Sequence, residues 1–212
     1  MGLFASLRRK EMLADAGDLA RFLDSRAAFM SQKGVVEYCR VRAGLMWSKL
    51  FLEKDFLAAM ERCRWEAYAA CLADLAVLME AKLRPPLENA GRSEEIPDLV
   101  PGLMLLVADC VTAHGKPAAL PDGWQGWIEV IRGRLEQAQL AAPRLAQDIG
   151  REAGRTVFRY LPIHASLRGE DFPMVQNNLR FHLVRIAEDF DRTADHAALA
   201  VSVASLGRRG AR

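Results

Sequence analysis

Residues 170 to 192, EDFPMVQNNLRFHLVRIAEDFDR, place two amides and an imidazole inside a stretch with helical periodicity. Asn177 and Asn178 carry both donors and acceptors, and His182 is the side-chain type whose charge changes near neutral pH. On a helical wheel the stretch divides into stripes. Val175, Leu179, Leu183, Ile186 and Phe190 form one, Asn178, His182, Arg185 and Asp189 run beside it, and Phe181 with Val184 lie opposite. A helix apolar on two sides is expected to be covered on two sides: either it is central in the bundle or its second face meets another subunit. The segment 34–51 repeats the pattern, with Val35, Cys39, Ala43, Met46 and Leu50 inward and Tyr38, Arg42 and Lys49 on the flank.

Half-buried polar groups need partners. One reading pairs Arg42 with an acid such as Asp189. The other lets the two polar stripes meet across a small interhelical cavity lined by Tyr38, Arg42, Asn178, His182 and Arg185, because so many groups exceed what one ion pair satisfies. The loop LPIHASLRGEDF adds His164 and Arg168 just ahead of the last long helix, with Asp171 expected as its N-cap and Pro173 in its first turn.

Reaction chemistry has little sequence support. The serine elbow G-x-S-x-G, the phosphate loop G-x-x-x-x-G-K-[ST], the dinucleotide turn G-x-G-x-x-G and the zinc motif H-E-x-x-H are all absent. His114, His164, His182 and His196 include no pair at i,i+3 or i,i+4, so no metal and no cofactor is expected. The acidic run Glu188, Asp189, Asp191 and Asp195 has Arg192 in its midst, which suits a salt-bridged surface. Cys39, Cys63, Cys71 and Cys110 show no C-x-x-C spacing and are expected to be buried and reduced. The enzymatic alternative is a small-molecule hydrolase using His164 or His182 as base.

With 212 residues, 51% of them hydrophobic, 26% charged and a net charge of +2, the chain has the balance of one globular domain. That charge argues against sequence-specific nucleic-acid binding. The many alanines and arginines suit helices and a GC-rich bacterial genome. No apolar run reaches the 18 or so residues of a spanning helix, and the cysteine usage points to the cytoplasm. The opening MGLFASLRRK lacks signal-peptide form, but Leu3, Phe4 and Leu7 backed by Arg8, Arg9 and Lys10 allow weak peripheral contact with a membrane.

Periodicity of 3.6 residues recurs throughout, with almost no period-2 alternation, so the fold class is all-α. The expectation is a single domain over 1–212, a bundle of six or seven helices packed around two long ones starting near Asp55 and Asp171. Helices are expected at 18–30, 34–51 (after a Ser31 cap), 55–83, 97–114, from Asp122 toward Pro143, 148–161, and 171–206 with a kink near Thr193. Pro85 and Pro86 are expected to stop the third helix, leaving a linker over 84–96, and a flexible basic tail over 207–212.

Two resemblances bear on function. RAGLMWSKLFLEKDFLAAM, residues 42 to 60, resembles the TetR-type repressors, where a recognition helix leads into a long helix; here Gly34 and Ala43-Gly44 lie closer together than that pattern requires. Across most of its length the chain resembles a group of uncharacterised all-α bacterial proteins, some labelled esterases. The shared segments are SRAAFMSQKGVVEYCRVRAG, RWEAY and LPIHASLRGEDFPMVQNNLRFHL. This group brings no known mechanism. The leading expectation is therefore a non-enzymatic module that binds a small ligand or a partner protein, as a homodimer. A hydrolase and a TetR-like regulator are the alternatives.

Overall fold

A computed structural model describes residues 12–210. The amphipathic segment 1–10 and the last two residues of the basic tail lie outside the described residues. The rest is an all-α, single-domain bundle. Its helices are α1 (Ala16–Gln32), α2 (Tyr38–Ala43), α3 (Trp47–Leu50), α4 (Lys54–Asn89), α5 (Leu99–Ala113), α6 (Gln125–Gln139), α7 (Arg151–Tyr160), α8 (Ala165–Arg168), α9 (Phe172–Thr193) and α10 (His196–Gly210).

The centre is α4, 36 residues long, against which α1, α5, α6, α7 and α10 pack. From Glu66 to Ala81 every residue is buried, and the alanines at 67, 69, 70, 73 and 76 let neighbours approach on all sides. By contrast α9 lies in the outer layer. Its stripe Val175, Leu179, Leu183, Ile186 and Phe190 is buried chiefly against α7 and the 3₁₀ turn Ala146–Asp148, with α1 and the π turn beside them, while Phe181 on its far side is 61% exposed and Val184 half-buried. Among the described residues, the second apolar face expected for this helix is left open at Phe181 and only partly covered at Val184.

Several boundaries differ from those the sequence suggests. Asp15 caps α1, accepting from the Asp18 N–H at 2.8 Å, and the helix does not stop near Met30. It runs through a five-residue π turn, Lys33–Glu37, directly into α2, so Ser31 is no cap; its hydroxyl donates to the Ala28 carbonyl within the helix. Gly34 sits in that turn because a Cβ there would lie 3.1 Å from Leu179 Cδ2 on α9. The helix ends at Gly44, whose φ of 51° favours glycine.

Pro85 and Pro86 do not stop α4. They leave the carbonyls four residues back, Ala81 and Lys82, without helical partners. Buried Leu83 and Leu87 nevertheless hold the last turn in the core. Arg84 also anchors it, pairing with Glu80 and donating to the carbonyls of Ala138 (2.8 Å) and Ala141 (2.6 Å) at the end of α6. The segment 84–96 is accordingly no loose linker, since only a tight turn at 90–92 separates α4 from the 3₁₀ turn Ser93–Asp98. Ala194 is extended and its neighbours bond to Leu13, so the expected kink is a break between α9 and α10. Residues 207–210 belong to α10 rather than to a tail.

Ser93–Ala113 is apolar and long enough to cross a membrane by composition. Much of it is nevertheless core, with Leu99, Leu103, Leu106 and Val107 buried. Gly102 and Gly207 let α10 lie directly on α5: a Cβ on Gly102 would stand 2.2 Å from the Val203 carbonyl oxygen, and one on Gly207 2.0 Å from that of Asp98.

Candidate functional site

Along the seam between α9 and the continuous helix formed by α1, the π turn and α2, two concavities open. The smaller, about 190 Å³, is lined by Lys33, Gly34, Tyr38, Val41, Met174 and Asn178. The wider, about 530 Å³, lies farther toward the C-terminal end of α9 and is lined by Arg26, Phe29, Phe181, His182, Arg185 and Asp189. The π turn borders the smaller cleft, and single π turns inside α-helices recur at functional sites.

The sequence-derived site residues separate in space. Tyr38 and Asn178 do line one cavity between the expected helices, whereas His182 and Arg185 line the other. Asn178 is exposed, as is Asn177, and Arg185 pairs loosely with Glu188 at 3.6 Å. Arg42 does not reach Asp189. It pairs with Asp171, whose carboxylate also accepts from the Tyr38 hydroxyl at 2.7 Å. Asp171 stands at the N-cap position of α9 but makes no capping bond, because Arg42 and Tyr38 occupy its oxygens. Those two hydrogen bonds, Arg42's first, hold the Asp171 carboxyl below the usual range. Burial, followed by the bond to Asp171, pushes the Tyr38 phenol up to about 12.

Asp189 is held instead by Arg26 from α1 and by Arg192 at 2.6 Å, so the acidic stretch is salt-bridged. His182 lies between two rings, edge-on to Phe29 at 5.3 Å and near Phe181 at 5.8 Å. Its pKa is lowered, first by burial and then by the Lys33 ammonium, so the imidazole is neutral at physiological pH.

His164 and Arg168 do not join the groove. His164 caps the four-residue α8: its Nδ1 accepts from the Ser166 N–H at 3.3 Å and lies 2.8 Å from the Ser166 hydroxyl. Arg168 stacks over Phe158 and donates to its carbonyl, tying α8 to α7. In the stretch resembling a repressor, the helix ahead of Trp47 and Lys49 is α2, six residues long, and a π turn makes it continuous with α1 where a helix-turn-helix would have a sharp turn.

Three polar clusters lie outside the sequence-derived site. Asp24 accepts from Tyr68 at 2.6 Å and contacts His114 Nε2 at 2.7 Å, beside Trp65 and Trp124. Asp74, fully buried in α4, pairs with Arg134 of α6, and burial raises its pKa against that partner's pull. The third, Glu80 with Arg84, is at i,i+4 and is the one pair with a local sequence signal. The four cysteines are free and buried, and burial drives their thiols well above the ordinary value, to about 12 for Cys39 and Cys110. Such thiols are poor nucleophiles. Among the described residues no three His, Cys, Asp or Glu side chains gather as a metal site requires.

No family model, curated protein or solved structure matches the chain.

Proposed function

We propose that the protein is a non-enzymatic interaction module of the bacterial cytoplasm, working as a homodimer through the groove between α1 and α9. The observation that carries this reading is the pair of aromatic side chains left open on the groove, Phe29 and Phe181, with a neutral His182 wedged between them. Exposed aromatics in a concave, charge-rimmed setting are what interface anchors look like. The rim favours a second copy of the chain as occupant. Lys33 with Glu37, Arg185 with Glu188 and Arg192 with Asp189 are paired within the chain, which leaves a mixed, nearly neutral rim that can meet its own copy across a two-fold axis without net repulsion. The cleft at Tyr38 and Asn178, about 190 Å³, is smaller than the usual small-molecule pocket and suits a polar group or side chain rather than a cofactor.

Light scattering tests this. The wild type is expected at twice the monomer mass and Phe181→Asp at the monomer mass, with unchanged circular dichroism because Phe181 is mostly exposed within one copy. A monomeric wild type at high concentration contradicts the reading.

One observation favours a hydrolase: the Ser166 hydroxyl lies within hydrogen-bond reach of His164. The pair is exposed and sits on a four-residue helix, and among the described residues no carboxylate bonds the other ring nitrogen. Labelling by a fluorophosphonate that disappears in Ser166→Ala supports this second reading; a chain left unlabelled removes it.

A further inference from the structure

The end of the molecule where α2 turns back into α4 carries a second unusual surface, distinct from the groove. Leu45, Met46, Trp47, Leu52 and Leu57 are all exposed, Leu45 by 98% and Leu52 by 80%. They cluster on a convex tip, because the glycine at 44 turns the chain sharply and the first turns of α4 project beyond the core. Arg40, Lys49 and Lys54 surround them, all exposed, and none forms an ion pair among the described residues. Arg40 lies over the Trp47 ring at 5.5 Å. The acids in this stretch are Glu53 and Asp55, so residues 40–55 carry four basic groups against two acidic ones, and Arg42 is already paired with Asp171.

We propose that this tip docks the protein on an anionic lipid surface. Leu45, Met46 and Leu52 would enter the headgroup and acyl boundary, Trp47 would sit at the interface, and Arg40, Lys49 and Lys54 would meet the lipid charges. Five side chains on a convex turn fall well short of the 20 to 30 residues that each side of a stable protein interface contributes. A bilayer needs no matching groove. It accepts an apolar point ringed by cations, with an aromatic amphipathic residue at its depth. With Arg42 paired to Asp171, three free cations stand against two acids, an excess of one, and an anionic surface attracts each lysine or arginine near it strongly enough for about a fivefold change in binding per charge.

Sedimentation of the full chain with vesicles tests the proposal, using neutral phosphatidylcholine alone and with one quarter phosphatidylglycerol. Wild type is expected to pellet with the anionic vesicles and to be released by salt, and brominated lipid is expected to quench a fluorescence component that Trp47→Phe lacks. Leu45→Asp/Leu52→Asp should lose at least tenfold in partitioning and Lys49→Glu several-fold, both with unchanged circular dichroism because the sites are exposed. Wild type remaining in the supernatant with every vesicle overturns the proposal. So does binding that survives the double substitution, including binding that disappears only when residues 1–11 are removed, which would assign the contact to the N-terminal segment. A dimer lost in Leu45→Asp/Leu52→Asp but retained in Phe181→Asp would overturn it too, by making the tip a contact between copies.

Discussion

Side chains that hold this molecule together act in pairs, some local and some far apart in the sequence, and the cost of breaking a pair depends on burial. Glu80 and Arg84 are almost completely buried, and Arg84 also satisfies two carbonyls at the end of α6. Arg84→Ala strands a buried carboxylate and those carbonyls, so a loss of about 3–5 kcal/mol is expected in denaturant unfolding. A loss below about 1 kcal/mol would show that water reaches Glu80. His182 gives a pH signature. Its folded pKa lies below its unfolded value, so the unfolded chain binds the extra proton first. The contribution is therefore intact above the unfolded pKa and declines as pH falls through the folded one. Between pH 7 and 5 the wild type should lose more melting temperature than His182→Gln, and equal losses would show the imidazole to be solvated. The residue types of this region were legible from sequence because helical periodicity put Asn178, His182 and Arg185 on one stripe. Their partners were not: Tyr38 and Asp171 are 133 positions apart and Arg26 and Asp189 are 163, and no local rule links them.

At the scale of elements, the all-α class follows from a periodicity that is itself local, whereas the helix expected over 34–51 is interrupted at Gly44 and the one expected over 171–206 is two, α9 and α10. Boundaries failed wherever tertiary contacts overrode a local stop signal. Pro85 and Pro86 remain helical because Leu83, Arg84 and Leu87 are anchored on both sides of them, and the expected break near Met30 is a π turn instead, seated on α9 through Gly34. Close packing of α5 on α10 rests on glycine, which gives a paired prediction. Gly207→Ala places a methyl 2.0 Å from the Asp98 carbonyl oxygen and 2.7 Å from the Gly102 nitrogen, both backbone atoms. The cost should reach at least the top of the overpacking range, about 3 kcal/mol. Gly133→Ala on α6 meets nothing within 4 Å and should stabilise by about 0.5–1 kcal/mol through helix propensity alone. Thermal melts of the two variants check both signs; a neutral Gly207→Ala would mean that α5 and α10 separate freely.

For the whole molecule, a central helix buried on all sides makes the bundle self-sufficient and leaves the outer face of α9 to other work. That face shows why a two-sided apolar pattern is informative: the described residues cover the first side, and Phe181 on the second remains open. In the proposed dimer a second copy covers it. Disulfide trapping tests this most directly, because all four native cysteines are buried and a single new surface thiol reacts without background. Under mild oxidation Arg185→Cys, on the same groove and with Phe181 left in place, should give a covalent dimer on a non-reducing gel. Leu140→Cys, 89% exposed at the end of α6, should not. A dimer formed equally by both variants, or by neither while light scattering still reports a dimer, would contradict the account by placing the contact elsewhere than the α1–α9 groove.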